Sequence, residues 1–407
     1  MASRMIALLV LLAAAPAHAA AADPQGAPAT PRLGFVTSVT GSLAFGTWPD
    51  AGGQVGLAAA DQICSTRATI AGLPDPASFV AWLSDSSDDA WCRIHGLDGK
   101  RADNCGQPVL PANAGPWQDT TGQPLLAALP AGLGPNGAHY TALRYTEFGQ
   151  PLAGSWEPVP TGTDANGVAS RALCADWTDT QAPGAVTAGN SGRTTVGWTD
   201  SVTPPCALPN RRLYCLQAGP GAALPRQRWA RLAFVTTATG SGHLSTWTQA
   251  GGAEGVAAGD NVCRAEAATA GVPQAATFKA WLSAGATGAA TRFSNDGPWR
   301  RPDGVRVADN LAGLTSGRLL APINQTLDGT YRGGDLVWTG TQLDGSVSLN
   351  CEGWGNASAE GVPGWANGSY SSWTFLGAGP CNEPMRLYCL SDSDELFVDG
   401  FDQPPLR

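Results

Sequence analysis

The sequence predicts an α+β protein built from two tandem copies of one cysteine-rich domain. Three observations predict it. Leu33–Ser84 and Leu232–Ser283 align without a gap at an offset of 199, with 27 of 52 positions identical. Each copy places one Ala-rich, helix-favouring segment ahead of short strand-like pieces, which fits α+β better than βαβ units. All ten cysteines lie downstream of the first 22 residues, and four of them recur in each copy. The match resumes at Gly115-Pro116-Trp117 and Gly297-Pro298-Trp299 and closes at Arg212-Leu213-Tyr214-Cys215 and Arg386-Leu387-Tyr388-Cys389. A repeat of this length is a whole domain, not a solenoid unit.

Residues 1–22 read as an export signal: Met1-Ala2-Ser3-Arg4, an apolar run from Met5 to Ala15, then Ala17-His18-Ala19 as a cleavage site. The run is too short to span a bilayer. Residues 23–31 form a linker, 32–217 the first domain, 218–230 a Gly/Ala/Pro-rich linker, 231–391 the second domain, and 392–407 an acidic tail.

Within each domain the opening stretch, Leu33–Thr37 and Leu232–Thr236, is apolar and β-branched and predicts a strand. A Gly-Gly turn leads to a predicted helix over Val55–Ala71 and Glu254–Ala270. Gly72-Leu73-Pro74 and Gly271-Val272-Pro273 stop it. The apolar runs Phe79–Leu83 and Phe278–Leu282 are too short for periodicity to separate helix from buried strand. The second half is turn-rich and ends in a strand bearing Cys215 or Cys389. The first copy holds 17 extra residues between Ser84 and Gly115, and this region carries Cys92 and Cys105.

Composition excludes some partners. Net charge is −9, and losing Arg4 with the leader makes it −10; lysine occurs only at Lys100 and Lys279. That balance argues against nucleic acid and anionic membrane surfaces. No other segment is apolar enough to cross a membrane. An even cysteine count in an exported chain favours disulfides. There is no C-x2-C, and only His95, His139 and His243 lie beyond the leader, so no zinc site is predicted. Four cysteines per copy allow three pairings.

The helix stretch Gly56-Leu57-Ala58-Ala59-Ala60-Asp61-Gln62-Ile63-Cys64, then Ala71-Gly72-Leu73 and Ser78-Phe79-Val80-Ala81-Trp82-Leu83-Ser84, resembles the endostatin-like kind of C-type-lectin-like domain. Cys381 and Cys389, spaced C-x7-C with Arg-Leu before the last cysteine, resemble the closing cysteines of C-type lectins, whereas Cys206 and Cys215 are C-x8-C. The Phe-Val-Thr opening, the Ala-Trp-Leu-Ser run and Trp338-Thr339-Gly340-Thr341 resemble a bacterial secreted family of unknown function in that superfamily; the first copy has Pro160 in place of that tryptophan. The resemblance covers both repeats and implies two tandem C-type-lectin-like domains in a secreted, periplasmic or cell-surface protein. Together with the repeat order it favours nested disulfides: Cys64–Cys215 and Cys263–Cys389 outside, Cys174–Cys206 and Cys351–Cys381 inside. Cys92–Cys105 remains as a staple.

The resemblance also sets the candidate sites. Calcium-dependent lectins of this fold use carboxylates and amides before the second cysteine and a Trp-Asn-Asp segment after it. The positions here are Asp164, Asn166, Trp198 and Asp200, and in the second copy Trp373 followed by Phe375 in place of the acid. The second copy also offers Asp344. Asp and Asn in such loops also serve turns, so no cofactor is expected beyond a calcium reading that is stronger for the first copy than for the second. Five tryptophan pairs recur: Trp48/Trp247, Trp82/Trp281, Trp117/Trp299, Trp177/Trp354 and Trp198/Trp373. Recurrence in matching places predicts core packing. Trp91, Trp156 and Trp365 are copy-specific and are the expected exposed contacts. Gly189-Asn190-Ser191-Gly192 resembles a serine nucleophile turn, but no histidine recurs beside it. The expected function is therefore an exported, non-enzymatic protein that recognises a glycan or an extracellular protein through the loops between the second and third cysteines. The alternatives are an envelope-associated structural protein and a carboxylate-based hydrolase.

Overall fold

The computed structural model describes residues 30–130, 139–153, 157–179, 183–207, 209–224, 229–393 and 397–398. The leader lies outside them. The architecture is mixed α+β, and five disulfides, Cys64–Cys215, Cys92–Cys105, Cys174–Cys206, Cys263–Cys389 and Cys351–Cys381, join residues of the same repeat.

Each repeat is organised on its opening strand, Arg32–Val36 or Trp229–Val235. That strand pairs antiparallel with the closing strand, Phe35 opposite Cys215 and Phe234 opposite Cys389. On its other side it runs parallel to the strand of the Gly-Pro-Trp motif, Arg32 opposite Trp117 and Arg231 opposite Trp299. The start and the end of each repeat are therefore neighbours in one sheet. Strand alternation divides the core in two. Phe35, Cys215, Phe79 and Ala81 face the helix Gly56–Ile70 with Leu57, Ile63 and Trp177. Val36, Tyr214, Leu216 and Trp82 face the other way, onto Trp117, Trp198 and Leu125. The second repeat divides in the same manner around Gly255–Thr269.

This alternation settles the ambiguous apolar runs. Phe79–Ala81 and Phe278–Ala280 are strands on the closing strand's free edge; Phe79 and Ala81 are buried on one face, and on the other Trp82 is buried and Val80 half-buried. The helices stop where predicted. Gly72 and Gly271 adopt φ of 68° and 69°, and the next N–H, Leu73 or Val272, returns to Ala68 O or Ala267 O.

The ends of the domains differ from expectation. Gly219 N donates to Ile94 O and Ala222 N to Thr30 O, so the first repeat holds its chain beyond residue 217. In the tail, Phe397–Val398 pairs antiparallel with Trp229–Ala230 and extends the second sheet.

The two repeats touch through polar loops, and the contacts are reciprocal. Gly364 and Gly189 both lie so close to a tryptophan carbonyl, Trp373 O or Trp198 O, that an added Cβ would stand 1.9 or 1.6 Å from it. Counting from these tryptophans, Thr194 corresponds to Ser369 and Arg193 to Gly368. Arg144 corresponds to Asn324, because Val36 N and Val235 N bind the carbonyls of the residues that follow them, Tyr145 and Gln325. Arg144 Nη1 donates to Ser369 O at 3.2 Å, and Asn324 Nδ2 donates to Thr194 Oγ1 at 3.3 Å. Arg193 and Gly368 form an antiparallel bridge. Equivalent residues thus meet each other, the arrangement of a two-fold dimer interface, here within one chain.

Candidate functional site

The expected ligand residues are dispersed by the fold. Trp91 is fully buried: His95 stacks on it at 3.9 Å, Arg101 lies over it at 4.7 Å, and it forms a small core with Cys92 and Cys105. The expectation of an exposed Trp91 is corrected, because the added segment needs an apolar centre of its own. Trp198 and Trp373 are 1% and 0% exposed and lie in the sheet cores. Trp365 is half-buried under the Arg193 guanidinium, 4.0 Å from its ring, at the contact between repeats. Trp156 lies outside the described residues. The tips of the inner-bridge loops, Gly192–Thr195 and Gly368–Tyr370, pack on the opposite repeat, so they are not free surface.

Asp164 Oδ1 accepts N–H from Asn166 and Val168, a local turn, and the exposed Asn166 gives its carbonyl to Arg101 Nη1. Asp200 is exposed and lies near enough to Asp164 for that carboxylate, after burial, to raise its pKa. Among the described residues, no group of three or more His, Cys, Asp and Glu is placed to hold a metal, and no helix is long and apolar enough to cross a membrane. Ser191 is buried, and the Gly189 that made its motif conspicuous is required by the close approach to Trp198 O.

A different place separates the repeats. In the second, a cleft of about 590 Å³ opens beside the helix, lined by Thr237, Gln249, Glu266, Thr269, Leu327 and Asp328 among others. Glu266 caps two backbone amides, Thr237 N at 2.8 Å and Ala238 N at 2.7 Å. Burial raises its pKa against those two hydrogen bonds and the more distant Arg386 guanidinium, with Asp328 adding a further rise. Asp328 accepts from Thr326 Oγ1 and Thr330 N, and these bonds hold its pKa down.

The same place in the first repeat is filled. The residue equivalent to Glu266 is Arg67, whose Nε donates to Glu147 Oε1 at 2.7 Å and whose Nη2 donates to Ser38 Oγ at 2.9 Å. Its Nη1 lies 3.6 Å from Asp50 Oδ2, and its guanidinium sits 5.5 Å from the Phe148 ring centre. Glu147 in turn accepts Ser38 N. Both repeats therefore cap the same backbone amide, at Ser38 and Thr237, with a carboxylate. It comes from a loop in the first repeat and from the helix in the second. No family model matches the chain, and a search of curated proteins returned no similar protein. Sequence reading missed this site because its signal is a difference between the copies, Arg67 against Glu266 and Glu147 against Leu327, and the reading favoured identities.

Proposed function

We propose that this is an exported, non-enzymatic binding protein of two C-type-lectin-like domains that recognises an extracellular protein or a glycan. One observation carries the proposal: a position that the first repeat closes with its own ion pair stands open as a cleft in the second. Five disulfides fit an oxidising compartment. In each repeat the outer bridge ties helix to closing strand and the inner one closes a long loop, which supports the lectin-like reading. The surface that differs between repeats is the helix flank, so recognition is assigned there and not to the inner-loop tips. Arrays of glycans and of extracellular proteins, probed with the full chain with and without calcium, test the proposal. Binding that survives removal of calcium is expected. A chain that binds nothing on either array overturns it. The second reading, an envelope-associated structural protein without a specific ligand, is favoured by the reciprocal burial of the loop tips.

A further inference from the structure

We propose that the cleft of the second repeat receives a guanidinium group, carried on an arginine side chain of an extracellular polypeptide, in the place that Arg67 occupies in the first repeat. The inference deepens the binding-protein reading and rests on it. The first repeat serves as the internal comparison. There the Arg67 guanidinium meets Ser38, Asp50, Glu147 and Phe148. Their equivalents are Thr237, Gln249, Leu327 and Asp328, and all four line the cleft. The arginine has been replaced by Glu266, which removes the cation and puts a carboxylate on the wall. Asp328 stands where Phe148 does and adds a second one.

Each carboxylate keeps acceptor capacity. Glu266 uses two backbone N–H groups, and an ionised carboxylate has about four lone-pair sites. The Arg386 guanidinium acts on Glu266 and is itself engaged by Asp335 and by Thr236 O and Thr237 O; on the other carboxylate, Asp328, the Arg332 guanidinium acts more weakly than the two hydrogen bonds it accepts. A planar, five-donor cation matches two carboxylates, a hydroxyl and an amide better than an ammonium does. The cleft, about 590 Å³, exceeds what a guanidinium alone fills. It leaves space for the methylene stem along Leu327 and Ala270 and for adjoining backbone, which is why the source is assigned as a polypeptide.

The test uses the full oxidised chain titrated with four probes: an arginine-centred tripeptide, its citrulline counterpart, Nα-acetylarginine amide and methylguanidinium. The arginine peptide is expected to bind, and the neutral citrulline peptide to bind about tenfold more weakly or less. Methylguanidinium should be the weakest of the cationic probes. Installing the first repeat's internal pair, Glu266→Arg with Leu327→Glu, should abolish binding while the thermal midpoint is kept. If that double variant fails to fold, Asp328→Asn replaces it and should weaken binding severalfold. Equal binding of arginine and citrulline peptides, no binding of arginine at all, or unchanged affinity in the variants overturns the inference. Equal affinity for methylguanidinium and peptide overturns the polypeptide assignment. If the arrays yield a ligand whose binding the double variant leaves intact, this inference falls and the wider proposal stands. Silent arrays overturn the wider proposal and, with it, the inference that rests on it.

Discussion

His139 stands where the repeats meet, 1% exposed, its ring 5.1 Å from the Trp198 ring. Burial, and then the Arg301 guanidinium of the other repeat, push its pKa from 6.5 down to about 3, against a backbone hydrogen bond to Thr141. The unfolded chain takes up a proton below 6.5 that the folded chain refuses until about 3. The stability this group supports is therefore complete above that range and is lost as pH falls through it. His139→Gln should flatten the acid limb by up to about 1.4 kcal/mol per pH unit. Urea midpoints collected between about pH 6.5 and pH 4 measure it; parallel curves for variant and parent would refute it. A second residue-scale expectation concerns a pair that recurs. Arg93 binds Asp61, and Arg292 binds Asp260 at 2.6 Å, each arginine also donating to two carbonyls at the end of the neighbouring strand and just beyond it, Ala81 and Leu83 or Ala280 and Leu282. Asp260 and Arg292 are 11% and 10% exposed, so Asp260→Ala should cost about 3 kcal/mol. Asp61, a third exposed, should cost clearly less. Denaturant titration of the two variants checks the order.

At the scale of elements, the first repeat's added segment behaves as a unit. Ala90–Ile94 is a short helix, and Cys92–Cys105 closes 13 residues around Trp91. Replacing both cysteines by serine should remove about 3 kcal/mol or less by the chain-entropy argument. Faster amide exchange should be confined to residues 88–110, and a collapse of the whole repeat would contradict the unit reading. The same segment shows what the sequence made legible. Opening strand, helix, glycine stop and closing strand follow from propensity and punctuation; the helices stand within a residue of expectation, and the second opening strand begins earlier than expected, at Trp229. The Phe79 and Phe278 runs did not yield, because only the partner strand reveals which faces are buried. The Arg93/Arg292 correspondence was hidden because the ungapped match ends at Ser84, although the offset of 199 still holds at these arginines. Trp91 departs from expectation because the insertion that carries it forms a core of its own. The cleft escaped for another reason: a carboxylate delivered to one amide from two different elements leaves no shared motif.

Across the whole molecule, each hydrophobic cluster among the described residues stays within a repeat, and the contacts between repeats include hydrogen bonds and ring-stacked arginines. Segments 30–224 and 229–398, oxidised, should therefore each unfold cooperatively when made alone. Arg144 carries the contact from one side, giving Ser369 O and Leu319 O their donors. Arg144→Ala should cost about 2 kcal/mol and speed exchange at both Gly192–Thr195 and Gly368–Tyr370. Exchange quickened on one side alone would deny the reciprocity. The placement of the chain ends has a mechanical consequence. Tension on a repeat enters at its opening strand and leaves from the closing strand alongside, so the load peels neighbouring strands apart instead of shearing the core. It is then caught at the outer disulfide, and the chain between the bridged cysteines, a sequence separation of 151 in one repeat and 126 in the other, lies beyond the knot and bears no force. Pulled from both ends, the oxidised chain should lengthen only by its short leading segments, and reduction should release the hidden contour.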